Sequence, residues 1–186
     1  MMKRVSSVMI LILVSILAIL PCAYGMRYDG PYSGRVIDAD TGMPIEGAVV
    51  LGVWNTEKAT PGGAVHDFYD ARETLTDKNG DFELPGMGVK ILSNVTPMDV
   101  LIFKAGYEHI GLYPWASLKE DILLRKKIKW EGKKAIIPLN KLTMEERRKR
   151  ILGKENFPIY KQKYFVNELN KEYFEAKGFS PYKEVK

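Results

Sequence analysis

Cysteine is nearly missing from this chain: one residue, Cys22, in 186. A lone cysteine excludes an intrachain disulfide framework and any Cys-rich zinc or iron–sulfur site. Histidine is almost as scarce. His66 and His109 are the only two, too few for a multi-histidine metal centre. No serine sits in a nucleophile elbow. Runs of one charge sign are short, with none longer than Arg147 to Arg150 among the last 71 residues. The apolar and charged fractions, 46% and 27%, are ordinary, which excludes a disordered chain and a multi-span membrane protein.

The N-terminus is the first positive signal. Lys3 and Arg4 precede an apolar run from Val8 to Leu20, interrupted by Ser15. That run is too short to span a bilayer comfortably. Ala23-Tyr24-Gly25 then supplies small residues at the −3 and −1 positions of a cleavage before Met26. The pattern predicts a secretory signal peptide over residues 1–25. Cys22 could instead mark a lipoprotein anchor, but Pro21 directly before it departs from that pattern. Cleavage after Gly25 leaves a mature chain without cysteine, which fits a bacterial envelope, periplasmic or extracellular.

Charge divides the remainder. Residues 26–115 carry 7 basic and 13 acidic side chains, and residues 116–186 carry 19 and 10. The first region holds most of the Gly, Val and Thr-Asp-Gly turn signals. The second is rich in Lys, Glu and Tyr. A β module over 26–140 followed by a helical extension over 141–186 is the expectation. The cationic extension carries interspersed Glu, as a solvated helix face does. Nucleic acid is an unsuitable partner for an exported chain; another envelope protein or polymer is the expected one.

Tyr32 to Asp38 reads as a strand, and Asp38-Ala39-Asp40-Thr41-Gly42 as a turn capped by its own side chains. A second strand, Ala48 to Trp54, sets Val49, Leu51 and Val53 on one face and Val50 on the other. Thr56 to Asp70, with Pro61-Gly62-Gly63 inside it, is expected to be an irregular exposed loop. Asn79-Gly80 predicts a tight hairpin flanked by Thr74, Thr76, Phe82 and Leu84. Val100 to Lys104 and Ala135 to Leu139 complete the strands. Short strands at regular intervals point to an antiparallel sandwich.

These blocks carry a resemblance. Gly34-Arg35-Val36-Ile37-Asp38 with Thr41 to Val50, then Thr76-Asp77-Lys78-Asn79-Gly80-Asp81-Phe82, then Val100 to Tyr107, together resemble the carboxypeptidase regulatory-like family. The blocks occur in family order over residues 32–107. The resemblance implies a seven-stranded Greek-key sandwich of prealbumin (transthyretin-like) type and no catalysis, since such domains serve as scaffold or interaction modules. The 56–70 segment and the tail depart from the minimal pattern. Two enzyme families of similar architecture fail on residues. Hydroxyisourate hydrolases end in Tyr-Arg-Gly-Ser and use several histidines, whereas this chain ends Tyr182-Lys183-Glu184-Val185-Lys186. Intradiol dioxygenases need closely spaced histidines on iron, whereas His66 and His109 lie 43 positions apart.

In the extension, Thr143-Met144-Glu145-Glu146 forms a capping box that predicts a helix from Met144 to about Leu152, stopped by Gly153. Pro158 opens a second helix that ends at Gly178. Tyr160, Tyr164, Leu169, Tyr173 and Ala176 share one face of it, with Phe165 and Phe174 beside them. Such a stripe packs on its own domain. The alternative is an interfacial helix with Lys161, Lys163, Lys171 and Lys177 on anionic head groups, which Glu168, Glu172 and Glu175 weaken.

His66, Asp67 and Asp70 are the most catalytic-looking cluster, a base or metal ligand set if they converge. Asp77, Asn79 and Asp81 have the alternate spacing of a calcium loop but lack its sixth-position Gly and twelfth-position Glu. The expectation is therefore a non-enzymatic exported module, without a cofactor, metal or catalytic set. Its two rivals are a metal-binding protein or hydrolase built on His66, Asp67 and Asp70, and association with a membrane or partner through the tail helices.

Overall fold

The computed structural model describes residues 26–91, 93–119 and 128–183. The expected leader, with Cys22, lies outside the described residues. Ten strands fall into three sheets. In chain order they are β1 (Arg27–Asp29), β2 (Tyr32–Asp38), β3 (Val49–Thr60), β4 (Gly63–Leu75), β5 (Asp81–Leu84), β6 (Gly88–Lys90), β7 (Asp99–Phe103), β8 (Ile110–Pro114), β9 (Lys129–Glu131) and β10 (Lys134–Leu139). Two helices follow, α1 (Met144–Lys149) and α2 (Lys163–Lys177). One four-stranded sheet runs β5-β2-β10-β9 and the other β4-β3-β7-β8; β1 and β6 form a separate ribbon.

The two larger sheets close on one core. Val36, Phe82, Leu84, Ala135, Ile137 and Leu139 from the first meet Val50, Trp54, Val100 and Ile102 from the second. Strand β3 over residues 49–54 and strand β7 over residues 100–103 are buried on both faces. Their alternate residues Val49, Leu51, Val53, Leu101 and Phe103 pack outward against Phe165 and Leu169 of α2. This double burial explains why Val49 to Trp54 and Val100 to Phe103 are nearly unbroken apolar runs. The result is a sheet–sheet–helix stack.

Hydrogen bonds tie the tail down. Glu73 of β4 accepts the backbone N–H groups of Tyr164 and Phe165 at 2.9 and 2.8 Å, capping α2 from another element. Glu168 accepts from Ala105 N–H, and Glu172 from Gly106 N–H at 2.8 Å. Glu172 is buried and also receives Arg147 at 2.7 Å and Arg150 at 2.8 Å. The capping box forms as read, with Thr143 accepting from Glu146 N–H and Glu146 returning to the Thr143 backbone. Gly178 ends α2 in the left-handed region.

Several expectations need correction. Residues 56–70 are not an irregular loop. Strands β3 and β4 continue as a ladder through Thr56↔Asp67, Glu57↔His66 and Lys58↔Val65, and the turn shrinks to Pro61-Gly62. Both faces of this ribbon are solvated, so no apolar alternation marks it. The Asn79-Gly80 turn forms, with Gly80 N–H on Asp77 O at 2.9 Å. It joins strands of different sheets, however, and not a hairpin. The Thr76 hydroxyl leaves the ladder to donate to Ile45 O and accept Ala48 N–H, while Phe82 pairs with Gly34. The sandwich is not wholly antiparallel, because β10 runs parallel to β2.

In the tail, α1 stops at Lys149, well before Gly153. Arg150 turns extended and spends its guanidinium on Tyr107 O and Glu172. The buried stripe of α2 is Phe165, Val166, Leu169, Tyr173 and Ala176; Tyr160, Tyr164 and Phe174 stay exposed. No helix among the described residues is long and apolar enough to cross a membrane.

Candidate functional site

The expected cluster does not converge. His66 and Asp67 are neighbours on the β3–β4 ribbon, so their side chains leave opposite faces. Asp67 pairs with Lys58 at 2.9 Å, and Asp70 pairs with Lys161 at 2.6 Å. Among the described residues no three His, Cys, Asp or Glu side chains gather to hold a metal ion. Asp77 accepts the backbone N–H groups of Asn79 and Asp81, and Asp81 is held by Arg35 and Lys134. Those contacts account for the alternate acidic spacing as turn chemistry. His109 leans edge-on against Phe103; partial desolvation and then Arg150 lower its pKa. It borders an opening of about 270 Å³ between the two sheets, lined also by Ile110, Leu112, Ile128 and Pro138.

A different place has the make-up of a binding site. At one end of the sandwich lies a cleft of about 500 Å³, lined by Tyr28, Gly30, Pro31, Tyr32, Ser33, Trp115, Ala116, Lys119, Trp130 and Lys133. Its volume is in the range of small-ligand pockets. Tyr28 comes from β1, Tyr32 and Ser33 from the start of β2, and Trp130 from β9. Trp115 and Lys119 bound a short 3-10 turn after β8. Lys133 follows Gly132, whose positive φ of 62° makes the tight β9–β10 turn.

The floor is built from a buried carboxylate. Asp29 accepts the Tyr32 hydroxyl at 2.7 Å, the Trp54 indole N–H at 2.8 Å and the Met87 N–H at 2.8 Å. Burial, and then the bond to Asp29, push the Tyr32 phenol well above its usual pKa, so it stays protonated. Its proton is committed to Asp29, and what it offers the cleft is its ring. Gly30 and Gly86 permit this floor, since a Cβ on Gly86 would collide with the Asp29 carbonyl.

The wall is aromatic. Trp115 meets Tyr32 edge-on at 5.4 Å and Trp130 at 5.6 Å, and reaches Phe82 at 6.2 Å. These contacts lock the rings in place. The Lys119 ammonium stands 4.3 Å from the Trp130 ring centre. Among the described residues the buried indole N–H of Trp130 has no acceptor. Among the described residues the Asp29 carboxylate lies beneath the floor, committed to Tyr32, Trp54 and Met87; no other carboxylate stands at the cleft, and neither Lys119 nor Lys133 is paired with one. The arrangement can take a ligand that presents negative charge, hydrogen-bond acceptors and flat C–H faces.

The sequence reading missed this site. Its members are scattered from position 28 to 133 and match no motif, and only the folding of β1, β2 and β9 around one end brings them together. No family model matches the chain, and neither does any curated protein sequence or solved structure.

Proposed function

We propose that the protein is an exported, non-enzymatic β-sandwich module of carboxypeptidase regulatory-like type that binds an envelope component. The supporting observation is where the three sequence blocks fall. The first forms β2 from Gly34 on, its Asp38 turn and the start of β3, the second the corner into β5, and the third β7 with the turn at Gly106. In this reading the seven-stranded Greek-key core is contained within the two four-stranded sheets, and the β1–β6 ribbon, the β3–β4 extension and the helical tail are additions. The dispersal of His66, Asp67 and Asp70 weakens the rival built on that cluster.

The test is to express the full-length sequence with a C-terminal tag, fractionate the cells and determine the N-terminus by mass spectrometry. A chain beginning at Met26 in the envelope or medium is the expected result. Cytoplasmic protein retaining Met1 would remove the exported reading. Metal-dependent turnover abolished by His66→Ala would replace the binding module with an enzyme.

A further inference from the structure

We propose that the aromatic cleft binds an acidic saccharide, a sugar carrying carboxylate groups. This deepens the binding role above and rests on it. Two features of the cleft select the ligand's chemistry. Among the described residues the charged side chains that line it are Lys119 and Lys133, neither paired with a carboxylate, while Asp29 beneath the floor is committed to Tyr32, Trp54 and Met87. Its walls are rings fixed by edge contacts, with Tyr28 69% exposed at the rim.

A sugar ring matches that wall. Its C–H bonds carry partial positive charge and lie well against the negative face of an aromatic ring. Carboxylates on the sugar answer the lysines, giving charge-assisted hydrogen bonds stronger than neutral ones. A neutral saccharide would leave both ammonium groups without a counter-charge.

An acidic peptide fits less well. Peptides are commonly held by adding a strand to a sheet edge. Here the edge strand β9 has only three residues, too short a ladder to hold a peptide backbone. A flexible polyanion would use the charges and leave the rings idle.

The experiment uses protein expressed from its full-length sequence and purified in the form the cell retains. Calorimetry and tryptophan fluorescence are read against four probes: oligogalacturonate, oligoglucuronate, a neutral gluco-oligosaccharide of equal length, and polyglutamate. At least one uronate oligomer is expected to bind at least tenfold tighter than both the neutral oligomer and polyglutamate, with a change in tryptophan emission. Lys119→Gln with Lys133→Gln is expected to weaken binding at least tenfold. Tyr28→Ala, on an exposed ring outside the core, weakens it without loss of folding, and Lys171→Gln on α2 leaves it unchanged. Failure of both uronates to bind would overturn the assignment. So would equal binding of polyglutamate, or uronate binding indifferent to the cleft variants. Tight binding of the neutral oligomer alone overturns the acidic class while leaving the binding module in place, and the export test is independent of every arm.

Discussion

Asp81 holds two cations at once, Arg35 at 2.6 Å and Lys134 at 2.8 Å. The Arg35 guanidinium is the leading cause that brings its carboxyl down from 3.8 to about 2. Arg35→Ala is expected to move that titration back toward the ordinary aspartate range, short of full recovery because Lys134 remains; NMR titration of the carboxyl reads it. The pair is solvent-accessible, so its contribution to stability is small. Gly34 is a stricter position. A Cβ there would press into the Phe82 ring and the Ala135 carbonyl, because β5 and β10 flank β2 on both sides. Gly34→Ala is expected to destabilise by about 1–3 kcal/mol through overpacking, read by urea denaturation. The motif glycine is therefore a packing requirement, with no turn involved.

Among the elements, α2 depends most on its surroundings. Its N-terminal cap comes from Glu73 on β4, and its buried charge Glu172 meets Arg147 and Arg150 from the α1 segment. Burial alone would raise the Glu172 carboxyl. Arg147, the Gly106 N–H and Arg150 outweigh it and hold the carboxyl below its ordinary value. A depressed folded pKa means stability present above the unfolded value of 4.5 and lost as pH falls through the folded one. Glu172→Gln leaves two guanidinium groups short of their partner and is expected to cost about 3–5 kcal/mol near neutrality. The gap between wild type and variant should narrow as pH drops below 4.5, which thermal melts across a pH series would show.

For the molecule as a whole, the tail is a structural layer. Val49, Leu51, Val53, Leu101 and Phe103 of the central strands are covered by Phe165 and Leu169. Removing residues 141–186 would bare that face as one apolar patch, of the kind that drives association. The truncated chain is expected to aggregate or bind a hydrophobic dye where the full chain does not. The milder Leu169→Ala is expected to cost about 2–5 kcal/mol in denaturant. Of the extension's cations, Lys161 is met by Asp70 of β4, and Arg147 and Arg150 by Glu172 within the extension itself.

Strand β2, the Asp38 turn, the runs of β7 and β10, the capping box and the Gly178 stop were all legible along the chain. Each rests on local chemistry: side-chain alternation, an Asx-type turn, a hydroxyl three residues from a carboxylate, a glycine able to take positive φ. Other features were not legible. The β3–β4 ribbon is held by backbone pairing that any polar sequence can make, so its side chains carry no signal. The Asn79-Gly80 turn has the same local chemistry whether its flanking strands pair or part, and Thr76 sends them to different sheets by bonding Ile45 and Ala48. The parallel pairing of β10 with β2 and the aromatic cleft join residues about a hundred positions apart. Local preference acts over a few bonds, whereas the partner of a strand or the neighbours of a ring are chosen by which arrangement buries the most apolar surface at once, a property of the whole packed chain.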